Sequence, residues 1–543
     1  MIEQTRLILL LLLSFLAFLM WEAWQRDYSL PSGPPVASAA HGAVADLPST
    51  SLNSKPADPA NLAPESSAHS TPTPGKEISV TTDILRVQIN LTGAVLDRAS
   101  LEHYRSDGIN DDATFSLLDM SATRLFIHQS GLKADGDTPD HYGHFSATAA
   151  QFSLAPSSDS LVVPLTWEST AGVTVTKEYR FTRGSYVIEI HYLINNKSTR
   201  VWTFHHYEQL QRLNDKPARH LINTFTGAAV SSPSQRYTKY KFSELVEKPV
   251  DVDITNGWAA ISEHYFAAAI IPPNDKAYHY YSSIVNGDRY IIGYYGPQQE
   301  VQPGGTLTVS NRMYVGPKLQ KVLPTVAPGL ELTVDYGLLW FIGKILFWIL
   351  SKLHSIIGNW GWAIIFLTCI VKAVFFPLSA AGYRSMAKMR RVQPRLLAIR
   401  DRFRDDRPRL NQAMMDLYKE EKINPLGGCL PIVVQIPVFI SLYWVILESV
   451  ELRQAPWILW VHDLSLKDPF FVLPFLMTIS MWLQSKLNPA PLDPIQAKVM
   501  QIMPFAFGIF FAFFPAGLVL YWFVNNVLSI TQQWFITRSI EKA

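Results

Sequence analysis

Cysteine is almost absent from this 543-residue chain: it has two, Cys369 and Cys429, each in or at the edge of an apolar run. The stretch from Glu77 to Pro328 has none, which excludes a disulfide framework or a thiolate zinc site there. Carboxylates are missing from a second place. Between Gly358 and Phe535 the long apolar runs contain no Asp or Glu, and their one internal cation is Lys372. Also lacking are GxxxxGK[ST], GxGxxG after a strand, HExxH and GxSxG, the usual signatures of nucleotide, zinc and serine-hydrolase chemistry. Net charge is only +2, so no overall basic or acidic balance points to a partner, although the charge is unevenly spread.

Lipid is the solvent that suits the apolar runs. Residues 356–378 are long enough to cross about 30 Å of hydrocarbon at roughly 1.5 Å per residue. Residues 426–449 and 469–487 make further crossings, and the run from Gln501 to Ile536 divides at Phe514-Pro515-Ala516-Gly517 into spans 500–514 and 515–537. Tyr336 to His354 has apolar residues on one side and Lys344, Lys352 and His354 elsewhere, so residues 331–355 read as an interfacial amphipathic helix. At the N-terminus Leu7 to Trp21 is a membrane anchor within residues 1–29 or a cleaved signal. The distance to the nearest small-x-small site, Ala37-Ser38-Ala39, favours the anchor. Residues 30–76, rich in Pro, Ala, Ser and Thr, are a tether.

Positive charge orients this arrangement. Residues 379–425 carry twelve Lys and Arg, among them Arg384, Lys388, Arg390, Arg391 and Arg395, far more than the 450–468 loop, and so belong in the cytoplasm. Both termini, the 488–499 loop and the 538–543 tail then fall inside, and residues 77–330 outside. The expected fold is a polytopic α-helical membrane bundle with six crossings, one N-terminal anchor plus a five-helix core, and a large periplasmic β-sandwich domain. The β assignment rests on period-two runs, clearest in Val173, Val175, Tyr179 and Phe181, then Tyr186, Ile188, Ile190 and Tyr192, around Thr182-Arg183-Gly184-Ser185. His205, His206 and Glu208 in that domain read as structural groups rather than metal ligands, because no second cluster has ligand spacing.

Two features have a bland and a functional reading. In 379–425, Met386, Met389, Val392, Leu396, Ile399 and Phe403 recur at three- and four-residue steps before Asp405-Asp406-Arg407-Pro408, and Leu410, Met414, Leu417 and Tyr418 follow. That pattern predicts an antiparallel helical hairpin, either an orientation signal or a surface for unfolded chains, lipid or ribosomal RNA. Lys372 either snorkels to the nearby interface or faces a wet cavity. Thr368 one turn away, Gln435 in mid-span, and Asn525, Asn526, Gln532 and Gln533 in the last crossing would line a hydrophilic groove if they converged.

Several motifs occur in order: Asn424-Pro425-Leu426-Gly427-Gly428-Cys429 with Pro431 and Gln435-Ile436-Pro437, Val450 to Pro456, His462-Asp463-Leu464, and Phe514 to Trp522. Together they closely resemble the YidC-type membrane protein insertases of Gram-negative bacteria. The resemblance implies a non-enzymatic insertase and folding chaperone of the inner membrane, without cofactor, metal or nucleotide. Its implied partners are nascent membrane proteins, the Sec translocon, the ribosome and membrane lipids. It further implies a substrate groove in which Lys372 occupies a position usually held by Arg, with Thr368, Tyr521 and Trp522 as lining. Gln435 and Asn526 join them on polarity alone. A secondary transporter and an envelope carbohydrate-active enzyme are the alternatives from other classes.

Overall fold

The computed structural model describes residues 77–106, 113–121, 123–214, 224–274, 276–403, 406–421, 430–488 and 494–542. The expected N-terminal anchor and tether, and the motif Asn424 to Cys429, lie outside them. The described residues fall into two compact units that meet in sequence between Val334 and Asp335.

The first unit is built from two sheets, one of ten strands and one of nine among the described residues. The predicted hairpin is present: Val173–Thr182 runs antiparallel to Val187–Asn196 with Phe181 opposite Ile188. Gly184, at φ 68°, supplies the left-handed residue that the turn requires. Period two then sends Val173, Val175, Tyr179 and Phe181 to the interior. It sends Lys177 there as well, fully buried. From this nine-stranded sheet Lys177 Nζ donates to the carbonyl oxygens of Ala94 at 3.0 Å and Ser130 at 3.1 Å on the ten-stranded sheet. The hydroxyls of Tyr179 and Tyr192 make the same crossing, to Ala94 O at 2.6 Å and Ser130 Oγ at 2.9 Å. The two sheets therefore pack face to face as a sandwich, joined by a polar seam as well as by apolar contact.

The second unit is helical. Helix α1, Trp340–Ile357, ends at Gly358, which adopts φ 75° and donates its N–H to His354 O at 2.7 Å. Asn359 then caps α2, Trp360–Val374, its Oδ1 accepting from Trp362 N at 3.1 Å. The chain bends by 68° at Phe375 and continues as α3, Phe376–Arg402. The expected span 356–378 thus takes in the end of α1, all of α2 and the start of α3: Ile356 and Ile357 belong to α1, and the bend precedes Pro377, which sits in the first turn of α3 where its missing N–H costs nothing. Helix α4, Arg407–Glu420, returns along α3, its N-terminus capped by the Asp406 carboxylate accepting from Arg409 N at 3.1 Å. Val392, Leu396, Met414 and Leu417 form the core between α3 and α4, with Met389, Ile399, Leu410 and Tyr418 packed around it. The predicted hairpin is thus observed, with α3 beginning inside the expected span.

Helix α5 covers Leu430–Glu448, α6 Val472–Leu487, α7 Pro494–Phe511 and α8 Ala516–Lys542. The start of α6 is set by Asp468, whose carboxylate accepts from Phe470 N at 3.0 Å and Leu473 N at 2.7 Å. Two helices extend beyond the expected spans. Helix α7 begins at Pro494 rather than at residue 500, because proline suits a first helical turn, and α8 runs through the expected tail to Lys542 without a break. Helix α8 packs against α2, α3 and α6, and α1 against α2 and α5. Among the described residues the single helical stretch long and apolar enough to cross a bilayer by itself is Gly337–Ile357, while α2 and α3 pass only as a bent pair. The segment expected to lie in the interface therefore has the length and composition of a span. Its exposed Trp340, Phe341, Ile345 and Trp348 form an apolar outer face.

Candidate functional site

Lys372 stands in the last turn of α2. A helix C-terminus presents carbonyls without intrahelical partners and a partial negative charge, which favours a cation there. Ending the helix at Val374 thus does part of the work of holding an ammonium in an apolar unit. Lys372 is only 8% exposed, and Nζ donates to Ser529 Oγ of α8 at 2.7 Å. The ammonium turns toward a neighbouring helix.

Beside Lys372 lies a cavity of about 360 Å³, walled by Ala373 and Phe376 on one side and by Leu528, Thr531, Gln532, Phe535 and Ile536 of α8 on the other. Most of its wall is apolar, so Lys372, Thr531 and Gln532 supply the polar groups. Thr531 donates to Val527 O of its own helix at 2.9 Å. Gln532 Nε2 donates to Phe376 O at 3.3 Å and ties α8 to the bend between α2 and α3.

The other sequence-derived candidates divide. Thr368 is fully buried and spends its hydroxyl proton on Ile364 O at 2.7 Å, so it packs beneath Lys372 instead of presenting a donor. Tyr521 and Trp522 meet on Phe439 of α5, whose ring lies 6.3 Å from Tyr521, stacked, and 4.3 Å from Trp522, edge to face. Trp522 also lies 5.1 Å from Phe511 of α7. Gln435 is half-buried, one turn before Phe439. Asn526 turns to another helix, donating to Ser480 Oγ of α6 at 3.1 Å, and Gln533 donates to Asn488 Oδ1 at 3.1 Å. The polar residues of α8 therefore do not all converge on Lys372: Ser529 and Gln532 face that side, while Asn526 and Gln533 hold α8 to α6 and the residue after it. Ser529 was passed over by the sequence reading. Its signal was there, one turn beyond Asn525 and three residues before Gln532.

On the hairpin Arg384, Lys388, Arg390, Arg391 and Arg395 are all exposed. Arg395 pairs with Glu421 at 2.7 Å, which ties α3 to the end of α4. In the β unit His206 and Glu208 are fully buried, and His205 Nδ1 lies 3.0 Å from Gly296 O. Among the described residues no three His, Cys, Asp or Glu side chains are grouped to hold a metal ion.

Two family matches divide the chain much as the structure does. The 60Kd inner membrane protein family matches residues 352–543, and the YidC periplasmic domain family residues 77–349. Full-length relatives of the same kind are similar from end to end. The membrane protein insertase YidC of Thioalkalivibrio sulfidiphilus is 47% identical over 100% of this chain and 99% of its own length. That of Methylococcus capsulatus is 46% identical over 96% of each. A crystal structure of an active YidC insertase with its first transmembrane domain resolved covers 84% of this chain and 92% of that one, at 18% identity and a TM-score of 0.39. The class is that of membrane protein insertases, which are not enzymes. Within it, the chain belongs to the YidC family.

Proposed function

We propose that this protein inserts nascent transmembrane segments into the inner membrane and helps them fold, using the recess beside Lys372 as the entry. The observation that carries the reading is a buried ammonium held by one serine hydroxyl at the edge of a cavity of about 360 Å³. A cation so placed attracts the acidic or polar flank of an incoming chain. Two unit charges about 4 Å apart in a partly wet site interact by roughly 1–4 kcal/mol. That is enough to lower a barrier and too little to trap the substrate. Transfer of the substrate's apolar segment into lipid, worth about 25 cal/mol per Å², supplies the driving force. No step calls for a nucleotide.

The remaining parts have defined places in this scheme. Phe439 and Trp522, partly exposed and backed by the buried Tyr521, form an aromatic surface along which an apolar segment can slide, with Gln435 one turn away. The exposed basic face of the hairpin suits ribosomal RNA, anionic lipid or the nascent chain itself. The topology that suits these roles has six crossings, with both termini and the hairpin in the cytoplasm and the β-sandwich in the periplasm. The Sec translocon is a further partner for substrates with large translocated regions. The test is insertion by reconstituted protein in proteoliposomes. Lys372→Glu should slow acidic-flanked single-span substrates about tenfold or more, since reversing the charge turns attraction into repulsion; unchanged insertion would remove Lys372 from the mechanism. Retained insertion after deletion of residues 77–320 would keep the activity in the helical unit.

A further inference from the structure

Ser529 is where the site holds more than the insertion scheme uses. It is 3% exposed and belongs to α8, a helix joined to Lys372 only through tertiary structure. Its hydroxyl donates to Asn525 O, one turn back, at 2.7 Å. That bond alone is the ordinary behaviour of a serine inside a helix. Spending the proton on its own backbone, however, leaves the Ser529 oxygen as an acceptor only, aimed at the Lys372 ammonium at 2.7 Å. One oxygen thereby links α2 and α8 beside the cavity. An ammonium has three N–H donors on a flexible four-carbon stem with no preferred direction, so a single fixed acceptor decides where the other two point.

We infer that Ser529 is a positioning residue: it fixes the Lys372 ammonium at the cavity wall, so that the N–H groups left over face an incoming carboxylate. The inference deepens the insertion reading and rests on it. In the resting protein the hydroxyl holds the charge at a fixed point. When an acidic flank arrives it finds that charge already oriented and pays less ordering entropy to reach it. Without the hydroxyl, the stem is free to swing toward either the helix end or the open cavity.

The test uses the full chain in nanodiscs and proteoliposomes. In the first arm Lys372 is labelled by a water-soluble amine reagent and quantified by peptide mass spectrometry. Ser529→Ala is expected to raise the labelling rate at least threefold, and Ser529→Thr, which keeps the hydroxyl, to restore the wild-type rate. In the second arm Ser529→Ala is expected to slow acidic-flanked substrates about fivefold while neutral-flanked ones insert at the wild-type rate, a split that a general loosening of the bundle would not produce. Ser529→Cys, nearly isosteric with a weak acceptor, should follow the alanine variant and serves if the latter fails to fold. Unchanged labelling in both the alanine and cysteine variants, or equal slowing of both substrate types, overturns the inference. Lys372→Leu separates the two levels: if it inserts acidic-flanked substrates normally the attraction reading fails, whereas the labelling arm still reports on Ser529 by itself.

Discussion

Each unit of this protein buries lysine, and Lys177 in one and Lys372 in the other are treated in opposite ways. Lys177 in the sandwich is fully enclosed. Carbonyl oxygens of Ala94 and Ser130 lie 3.0 and 3.1 Å from its Nζ, and the rings of Tyr179 and Tyr192 lie 5.2 and 5.5 Å away. Burial pushes it down to about 7, with Glu208 pulling the other way. Lys372 in the helical unit has one hydroxyl, the end of a helix and an open cavity. Every direction around Lys177 is filled by groups of its own chain, so it joins two sheets and is closed to anything else. Around Lys372 a direction is left for a group the protein does not contain. Burial alone does not identify a working charge; the number of its partners relative to its donors does.

The sharpest way to break this comparison is to remove each amine. Lys177→Met should cost the β unit on the order of 3 kcal/mol, because the carbonyls it serves and Glu208 stay buried without it. Hydrogen exchange in the full-length protein would show it as lost protection in strands Val173–Thr182 and Arg124–Ala134. Lys372→Leu should leave helix protection nearly unchanged and slow acidic-flanked substrates by about tenfold, the equivalent of roughly 1.4 kcal/mol of lost attraction. Equal loss of protection in both variants would erase the distinction.

Acid offers a second probe. Burial holds His206 down at about 4 and also lowers His128. A histidine whose folded value lies below the unfolded one contributes stability that is present above about 6.5 and lost as pH falls toward 4. Asp97 has the opposite sign: burial, with Glu77 adding, holds it up to about 7, so its contribution is present below about 3.8 and lost as pH rises to 7. Comparing His206→Phe with wild type isolates the histidine. The variant should lose less protection in strand Trp202–Leu213 between pH 6.5 and 4.5, by on the order of 2 kcal/mol; the helices of the second unit should respond equally in both. The smallest effect belongs to a charge in open water. Arg395→Ala breaks the exposed pair with Glu421, whose arginine is 64% exposed, and should change hairpin protection by less than about 0.5 kcal/mol.

Much of this architecture could be read from the chain, and what escaped shares a cause. The 173–196 hairpin was legible because period two and Gly184 are local signals, and the α3–α4 hairpin because Met389, Val392, Leu396, Met414 and Leu417 keep helical spacing. Lys372 stood out as a cation inside an apolar run. Lys177 did not, because one charge in an alternating strand resembles a solvated position, and only the second sheet shows that its face is sealed. Ser529 did not because a helical serine normally serves its own turn; its partner lies 157 positions away. Asn526 was assigned to the groove on polarity, yet α6 claims it through Ser480. The bend at Phe375 was hidden by Pro377, which reads as the end of a span and sits at the start of a helix. Local periodicity writes elements legibly. Which neighbour a polar side chain finds is decided only when the elements pack.

Entry of substrate beside Lys372 requires water to reach residue 372 from the cytoplasmic side. The direct measurement is labelling of Lys372→Cys by a membrane-impermeant maleimide in inside-out inner-membrane vesicles, with Cys369 and Cys429 replaced by serine. Lys388→Cys on the hairpin is the positive control. Labelling at 372, slower than at 388 but complete, is the predicted result. A residue 372 that stays unlabelled while 388 reacts would mean the cavity is closed to water, and the proposed entry for substrate would be lost with it.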